Sequence, residues 1–199
     1  PEGADCVVKQ EDTDYGEEDV KIYLSLDKHI NCCPIGEDFH RGDCLGQKGE
    51  RIDAYMMASM ASGGIEKVSV WRKIRAAIIT TGEELMMPGQ PLLPGKIYNS
   101  NLAYLTGRLM QLGCDITEGC FVGDDTEAIV SAVRRSAAQA DVILTTGGVS
   151  VGVKDLIPQV IEKLGADLLF HGIDLKPGMP TMASLYNGKT IISLSGNPF

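Results

Sequence analysis

The sequence lacks the features that mark several common protein classes. It contains 18 Lys and Arg residues against 27 Asp and Glu, which gives a formal net charge of −9. Such an acidic chain disfavours the counterion-releasing contacts of nucleic-acid binding, and an anionic membrane would repel it. It also lacks any apolar run near the ~20 residues that span a bilayer. We therefore expect neither nucleic-acid nor membrane partners.

Cysteine is sparse as well, with six residues in 199. This density is far below that of a secreted disulfide scaffold, and the spacing lacks the paired C-x-x-C arrangement of a structural zinc site. The pattern favours reduced thiols and a cytoplasmic location, although the adjacent Cys32 and Cys33 leave a redox-active pair open. With 44% hydrophobic residues, the chain can bury a sizeable core.

The hydrophobic pattern changes near residue 70 and divides the chain into a region over 1–70 and a region over 71–199. In the first region, the run at 5–10 and the alternating apolar residues of 20–26 predict β-strands. A short helix is expected over 52–61, where a pair of glycines ends it. This pattern favours a small β-rich region.

The second region alternates apolar strands with amphipathic helices. The predicted strands cover 74–80, 116–122, 142–145 and 168–173, followed by a hairpin of 181–185 and 190–194. The predicted helices cover 101–112, 126–138 and 156–164. Because this alternation is typical of βαβ units, we predict an α/β fold with a mostly parallel sheet and helices on both faces.

A glycine-rich segment, TTGGVSVGVKD at 145–155, follows one predicted strand and enters a predicted helix. Ligands in open α/β sheets bind at this edge, where backbone N–H groups and a helix N-terminus suit a phosphate or carboxylate. Ser150 adds a hydrogen-bond donor, whereas Asp155 would repel a phosphate unless a cation such as Mg²⁺ lay between them. The alternative is an ordinary tight turn. The segment is not a Walker loop, because no Gly-Lys-Ser/Thr follows.

Acidic residues follow two other predicted strands. Glu83 and Glu84 come after the first strand of the second region, where either could face the cleft, and Asp124 comes after the second strand. Because parallel strands end at one edge of a sheet, we expect Glu84, Asp124 and Asp155 to converge on Mg²⁺. The alternatives are solvated loop acids and a helix N-cap.

Further candidates lie in polar turns. Lys176 stands beside a Pro-Gly turn and is a candidate anion contact. A similar turn after the last predicted strand contains Ser195, Gly196, Asn197 and Pro198. Asp38 lies in an acidic loop of the first region, for which a surface turn is the alternative. No role is assigned to the three isolated histidines, His29, His40 and His171.

These motifs, taken together and in order, resemble the MoeA family of molybdopterin molybdenumtransferases. The segments that carry the resemblance are PEGADCVVKQEDT, GEDFHRGD, TTGEEL, IYNSN, TTGGVSVGVKD, LKPGMP and LSGNP. The resemblance covers essentially all 199 residues. It implies that 71–199 is a molybdopterin-binding, MogA/MoaB-like α/β domain, and that 1–70 belongs to the β-rich region before it. We expect an internal fragment without the family's N-terminal portion and C-terminal β-barrel domain.

The resemblance also implies a reaction. Members of the family combine adenylated molybdopterin with molybdate in the presence of a divalent cation, and they release molybdenum cofactor and AMP. The working form is a homodimer, and a molybdopterin adenylyltransferase is the expected partner. Such chemistry requires charge stabilisation more than a side-chain nucleophile. We expect this chain to bind the ligand but to turn over poorly.

Residue roles carried over by the resemblance fall into three groups. The pterin phosphate or adenylyl group would contact Gly147, Gly148, Ser150, Gly152 and Asp155. The acidic members of the site would be Glu84, Asp124, Asp155 and Asp38, of which the first three would hold Mg²⁺. The pocket would be lined by Lys176, Ser195, Gly196, Asn197 and Pro198.

The sequence departs from the family pattern at positions where positive charge is usual. Met179 stands where a second lysine is often found, Cys32 and Cys33 replace basic residues, and Ser195 replaces a proline. These departures leave weaker molybdate binding, a different subfamily and tungstate use open.

Two other classes of function are open. The same kind of domain occurs in molybdopterin adenylyltransferases and CinA-type nucleotide pyrophosphatases, but the run Val149–Gly152 and the first region argue against both. A non-catalytic molybdopterin-binding or scaffold module, of the kind that gephyrin exemplifies, is the other class.

Overall fold

The computed structural model describes residues 3–149 and 156–197. Its internal contacts divide the chain into two compact units, Pro1–Ser69 and Val70–Phe199. Among the described residues, no helix has the length and apolar character needed to cross a bilayer.

The first unit contains little regular structure. It has a 3₁₀ helix at Gln10–Asp12 and helix α1 at Ala54–Ser62, where the Asp53 carboxylate accepts a hydrogen bond from Met56 N–H at 2.8 Å. The strands predicted at 5–10 and 20–26 are wrong, because the described residues there form only one antiparallel bridge, Thr13 to Ile22. The alternating side chains are not covered, and Ile22 is 53% exposed. Strand-forming side chains without a neighbouring strand or an apolar layer do not hold a sheet.

The second unit has the predicted α/β fold. Its strands are β1 Arg75–Thr81, β2 Leu85–Met86, β3 Ile97–Tyr98, β4 Asp115–Val122, β5 Val142–Thr146, β6 Asp167–His171, β7 Met182–Tyr186 and β8 Lys189–Leu194. Its helices are α2 Ser100–Gln111, α3 Thr126–Ala137 and α4 Leu156–Leu164. The long elements agree with the sequence prediction to within one or two residues at most ends, which is the ordinary uncertainty of element boundaries.

Six strands form one sheet in the order β4-β1-β5-β8-β7-β6. The pairs β4–β1, β1–β5 and β5–β8 are parallel, whereas β7 is antiparallel to both of its neighbours. The β7–β8 hairpin turns at Asn187 and Gly188, which both have positive φ, as a type I′ turn requires. Strands β4, β1, β5, β8 and β6 therefore run in one direction and end at one edge of the sheet.

Strand β1 is buried on both faces, as expected for the centre of a parallel sheet. Ala77 and Ile79 pack against α3 and α4, while Ala76 and Ile78 pack against α2 on the other face. This alternation follows from the two-residue period of a strand. Helices on both faces thus bury the sheet and leave its edges as the places where ligands can reach the backbone.

The amino edge of the sheet is held by a cluster of charges around Asp141. Its carboxylate accepts hydrogen bonds from both terminal nitrogens of Arg72, from Arg75 N–H at 2.9 Å and from the Arg75 guanidinium at 3.3 Å. Lys189 Nζ lies 3.6 Å away. The hydrogen bonds from Arg72, followed by those from Arg75, hold the pKa of Asp141 well below its usual range. This cluster lies at the edge opposite to the glycine-rich turns.

Candidate ligand-binding site at the carboxyl edge of the sheet

The carboxyl ends of the central strands are tied together by hydrogen bonds. Gly147, directly after β5, donates its N–H to Leu194 O at the end of β8, at 3.2 Å. The Thr81 hydroxyl, at the end of β1, donates to Thr146 O at 3.1 Å. The turns after three adjacent strands are therefore fixed relative to one another, and the glycine-rich segment begins at their centre.

Gly147 is required by its surroundings. Its φ is +94°, a conformation that side chains rarely adopt, and a Cβ there would lie 2.4 Å from Thr81 O. Gly196 packs against the same place, since a Cβ on Gly196 would lie 3.6 Å from Gly147 Cα. The turns after β5 and β8 thus approach backbone to backbone.

The next two residues are anchored to the surrounding structure. Gly148 O accepts a hydrogen bond from Ile157 N–H at 3.2 Å, and the Val149 side chain is buried in the core beside α4. Val149 O lies 3.3 Å from Nε2 of His171, the last residue of β6. The predicted site residues Ser150, Gly152 and Asp155 lie outside the described residues, as does Pro198.

An acidic cavity of about 340 Å³ lies at the same edge. It is lined by Glu83, Asp124, Leu156 and Gln159. Asp124 accepts a hydrogen bond from Glu83 N–H at 3.2 Å, which places the loops after β1 and β4 side by side. The Glu84 carboxylate instead folds back over Gly82, within 2.9 Å of the position that a Cβ would take there. Glu83, and not Glu84, therefore shares this cavity with Asp124.

The donor chemistry of this cavity fits Mg²⁺. Carboxylate oxygens are the ligands that Mg²⁺ takes in small number, together with water and substrate phosphate. Within residues 3–149 and 156–197, no group of three or more His, Cys, Asp or Glu side chains forms a metal site. The Mg²⁺ site of Glu84, Asp124 and Asp155 stays a prediction, because Asp155 is outside those ranges.

A second cavity, of about 180 Å³, joins two of the predicted polar turns. It is lined by Tyr104, Leu105, Pro177, Gly178, Thr181, Leu194, Ser195 and Asn197. Lys176 is exposed beside it, and Met179 is 61% exposed. The Ser195 hydroxyl accepts a hydrogen bond from Asn197 N–H at 3.4 Å, a contact that a proline at 195 would not make. The structure thus brings the turn after Lys176 next to the turn after β8.

Two buried asparagines that are not among the predicted site residues position these turns. Asn101 Nδ2 donates to Gly196 O at 2.9 Å. Asn99 caps α2 by accepting from Leu102 N–H at 3.2 Å, and its Nδ2 donates to the Thr80 hydroxyl at 2.7 Å. Their position in IYNSN, at the start of a predicted helix, could have indicated an N-cap role, because Asn is a favoured N-cap residue.

Asp38 lies in the first unit, in a cavity of about 200 Å³ of its own. Cys33 and Glu37 line the same cavity. The hydrogen bond to Glu37 and the charge of that carboxylate raise the pKa of the Cys33 thiol, which favours the neutral thiol. A neutral Cys33 thiol therefore supplies no positive charge where the family pattern usually has basic residues. All six cysteines are free thiols.

Comparison with known proteins finds the same two parts along the chain. Residues 77–199 match the family model described as "Probable molybdopterin binding domain", and residues 1–64 match "MoeA N-terminal region (domain I and II)". The molybdopterin molybdenumtransferase of Bacillus subtilis is 38% identical over 202 residues, which include 100% of this chain and 47% of that protein. The protein of that name from Haemophilus influenzae is 33% identical over 199 residues, which include 100% of this chain and 49% of that protein.

A similar solved structure is the molybdopterin biosynthesis MoeA protein from Pyrococcus horikoshii. It superimposes with a TM-score of 0.75 and 32% sequence identity, covering 98% of this chain and 48% of that one. The chain therefore spans about half the length of the relatives it matches.

Proposed function

Because this chain belongs to the MoeA family of molybdopterin-binding proteins, we propose that it acts in molybdenum cofactor biosynthesis and binds adenylated molybdopterin at the carboxyl edge of its sheet. There it supports the insertion of molybdate with release of AMP. The observation that carries the proposal is the convergence of Gly147, Asp124 and the Ser195–Asn197 turn at the ends of parallel strands, where α/β sheets bind ligands.

The phosphate part of the ligand binds the glycine-rich turn in this proposal. Gly147 and Gly148 have no side chain between the ligand and the main chain, and Ser150 and Gly152 beyond them would supply hydrogen-bond donors. The turn after β8 lines the adjoining cavity, in which Asn197 and Gly178 both take part. Lys176, two residues before Gly178, is the proposed contact for an anion. These groups bind and orient the ligand without any covalent step on the protein.

The acidic side of the site has an electrostatic role. Asp124 and Asp155, with Glu83 in the place first predicted for Glu84, would hold Mg²⁺, which would neutralise negative charge on the phosphoanhydride. A molybdate oxygen would attack the pterin-side phosphorus of that phosphoanhydride, so that a P–O–Mo link forms as the P–O bond to the adenylyl group breaks and AMP leaves. Transfer of molybdenum from that oxygen to the two dithiolene sulfurs would then leave the pterin phosphate free. Asp38 is proposed as a further acidic participant from the first unit. Met179 and Ser195 depart from the family pattern, so the preference for molybdate or tungstate is tested by direct competition between the two oxyanions.

The proposal extends to the assembly. We propose a homodimer as the working form and a molybdopterin adenylyltransferase as the protein that supplies the adenylated ligand, both on the strength of the family resemblance. A cytoplasmic location remains the prediction made from the sparse cysteines.

The test is single-turnover release of AMP from adenylated molybdopterin with molybdate and Mg²⁺. Asp124→Asn removes a carboxylate in the loop after β4, at the carboxyl edge of the sheet. Asp115→Asn removes a carboxylate at the first residue of β4, where Asp115 pairs with Lys73. We expect Asp124→Asn to lower AMP release ~10-fold or more, as for loss of a charge-assisted contact, and Asp115→Asn to leave it unchanged.

Three outcomes contradict the proposed reaction. Equal AMP release by the two variants would remove Asp124 from the site. AMP release that needs no molybdate would indicate a pyrophosphatase. Ligand binding with no AMP release, also in a chain of the full length of its relatives, would indicate a non-catalytic binding module.

A further inference from the structure

His171 stands at the same edge of the sheet as the glycine-rich turn, although it lies on the outermost strand. Strand β6 is antiparallel to β7, and β7 is antiparallel to β8, so β6 ends where β5 and β8 end. Its last residue, His171, has Nε2 at 3.3 Å from Val149 O. A side chain from one border of the sheet therefore reaches the segment that leaves its centre.

The contact has a defined polarity. A carbonyl oxygen only accepts hydrogen bonds, so His171 Nε2 must carry the proton, which it does both in one neutral tautomer and in the imidazolium ion. The other contacts of this segment are of a different kind. Gly147 N–H and Gly148 O bond to backbone groups, and the Val149 side chain is buried at 2% exposure. Among the contacts of residues 3–149 and 156–197, His171 is thus a replaceable side-chain anchor on a turn whose other hydrogen bonds here are made by its backbone.

We propose that His171 is a positioning residue that holds the Val149 carbonyl and, through it, the Gly147–Val149 turn that leads into Ser150. The peptide group before Val149 is held by the hydrogen bond from Ile157 N–H to Gly148 O, and the Val149 carbonyl that follows is held by His171. Without the contact to His171, the turn would open more often. The consequence for ligand affinity rests on the proposed function, whereas the anchoring itself does not.

Amide hydrogen exchange in the ligand-free protein tests the anchoring directly. His171→Leu keeps a bulky side chain on the edge strand but removes the donor, and His171→Gln keeps a donor, since the Gln amide nitrogen replaces Nε2. In His171→Leu we expect the amides of Gly147 and Ile157 to exchange about fivefold faster, the ratio for one ordinary net hydrogen bond. His171→Gln should restore most of the protection. The amide of Leu112, bonded to Arg108 O in another helix, serves as an internal reference that should not change.

Two results would overturn the anchoring. Unchanged exchange at both amides in His171→Leu would mean that the contact does not hold the turn. Equal acceleration in His171→Leu and His171→Gln would mean that the imidazole acts by its shape and not as a donor.

A second readout separates this inference from the proposed function. If the turn binds adenylated molybdopterin, the dissociation constant should rise in His171→Leu and recover in His171→Gln, in step with the exchange rates. Faster exchange with no change in ligand affinity would uphold the anchoring but contradict the placement of the ligand at this turn.

Discussion

Gly147→Ala is the substitution whose cost is set most directly by the geometry of the site. The residue has φ of +94°, which costs an L-residue roughly 1–2 kcal/mol. The new Cβ would also lie 2.4 Å from the backbone oxygen of Thr81. Overpacking of this kind costs about 1–3 kcal/mol, because a strand end has to move. We therefore expect the free energy of unfolding to fall by about 2–5 kcal/mol.

The neighbouring glycine supplies a matched control. Gly148 also has a positive φ, +61°, but a Cβ there meets its nearest atom at 3.6 Å, an ordinary contact. Gly148→Ala should therefore cost only the backbone part, roughly 1–2 kcal/mol. The difference between the two variants isolates the close approach of the turn to the end of β1.

Urea unfolding followed by far-ultraviolet circular dichroism measures both variants. The signal reports mainly on the second unit, which contains three of the four α-helices and the strands described in the chain. Equal midpoints for Gly147→Ala and Gly148→Ala would refute the reasoning, because they would mean that no steric constraint exists at 147.

Three further predictions concern polar groups of the second unit. The buried Thr145 hydroxyl has no hydrogen-bond partner among the residues that the structure describes, so Thr145→Val should raise the free energy of unfolding by up to about 1 kcal/mol. Thr81→Val, which removes a donor, should lower it by about the same amount, and equal urea midpoints for the two variants would contradict this. The pKa of Asp141 is lowered by folding, so its stabilising effect is present above its unfolded pKa of about 3.9 and is lost as the pH falls below it. The free energies of unfolding of the wild type and of Asp141→Asn should therefore become equal at low pH. A difference between them that stays the same at all pH values would contradict the stabilising role of the Asp141 carboxylate. Asn101→Ala should lower the free energy of unfolding by about 1 kcal/mol, because it frees Gly196 O, and unchanged hydrogen exchange in the turn after β8 would count against this.

The fold of the second unit could be predicted because its apolar periods are strong and local. The continuous run of β1 and the helical spacing in α4 each specify one element that the core then buries. The strands predicted at 5–10 and 20–26 failed for the opposite reason. Their alternation expresses a preference for a half-buried surface, and without a partner layer that preference does not produce a strand.

The sequence predicts those features of the site that follow from the direction in which the strands run. Gly147 and Asp124 were placed together because parallel strands end at one edge, which requires no knowledge of side-chain contacts. His171 was not predictable, since its contact with Val149 depends on the position of β6 three strands away from β5. Which of Glu83 and Glu84 lines the cavity with Asp124 depends on the local turn at Gly82, which the sequence pattern does not specify.

Calorimetric titration of this chain with adenylated molybdopterin and Mg²⁺ decides whether the ligand binds at the carboxyl edge of the sheet. The titration compares the wild type with Asp124→Asn, in the loop after β4, and Asp115→Asn, at the first residue of β4. We expect binding by the wild type, affinity lowered ~10-fold or more in Asp124→Asn, as for a charge-assisted contact, and unchanged affinity in Asp115→Asn. Absence of binding by the folded wild type, or equal weakening in the two variants, would contradict a ligand site at the carboxyl edge of the sheet.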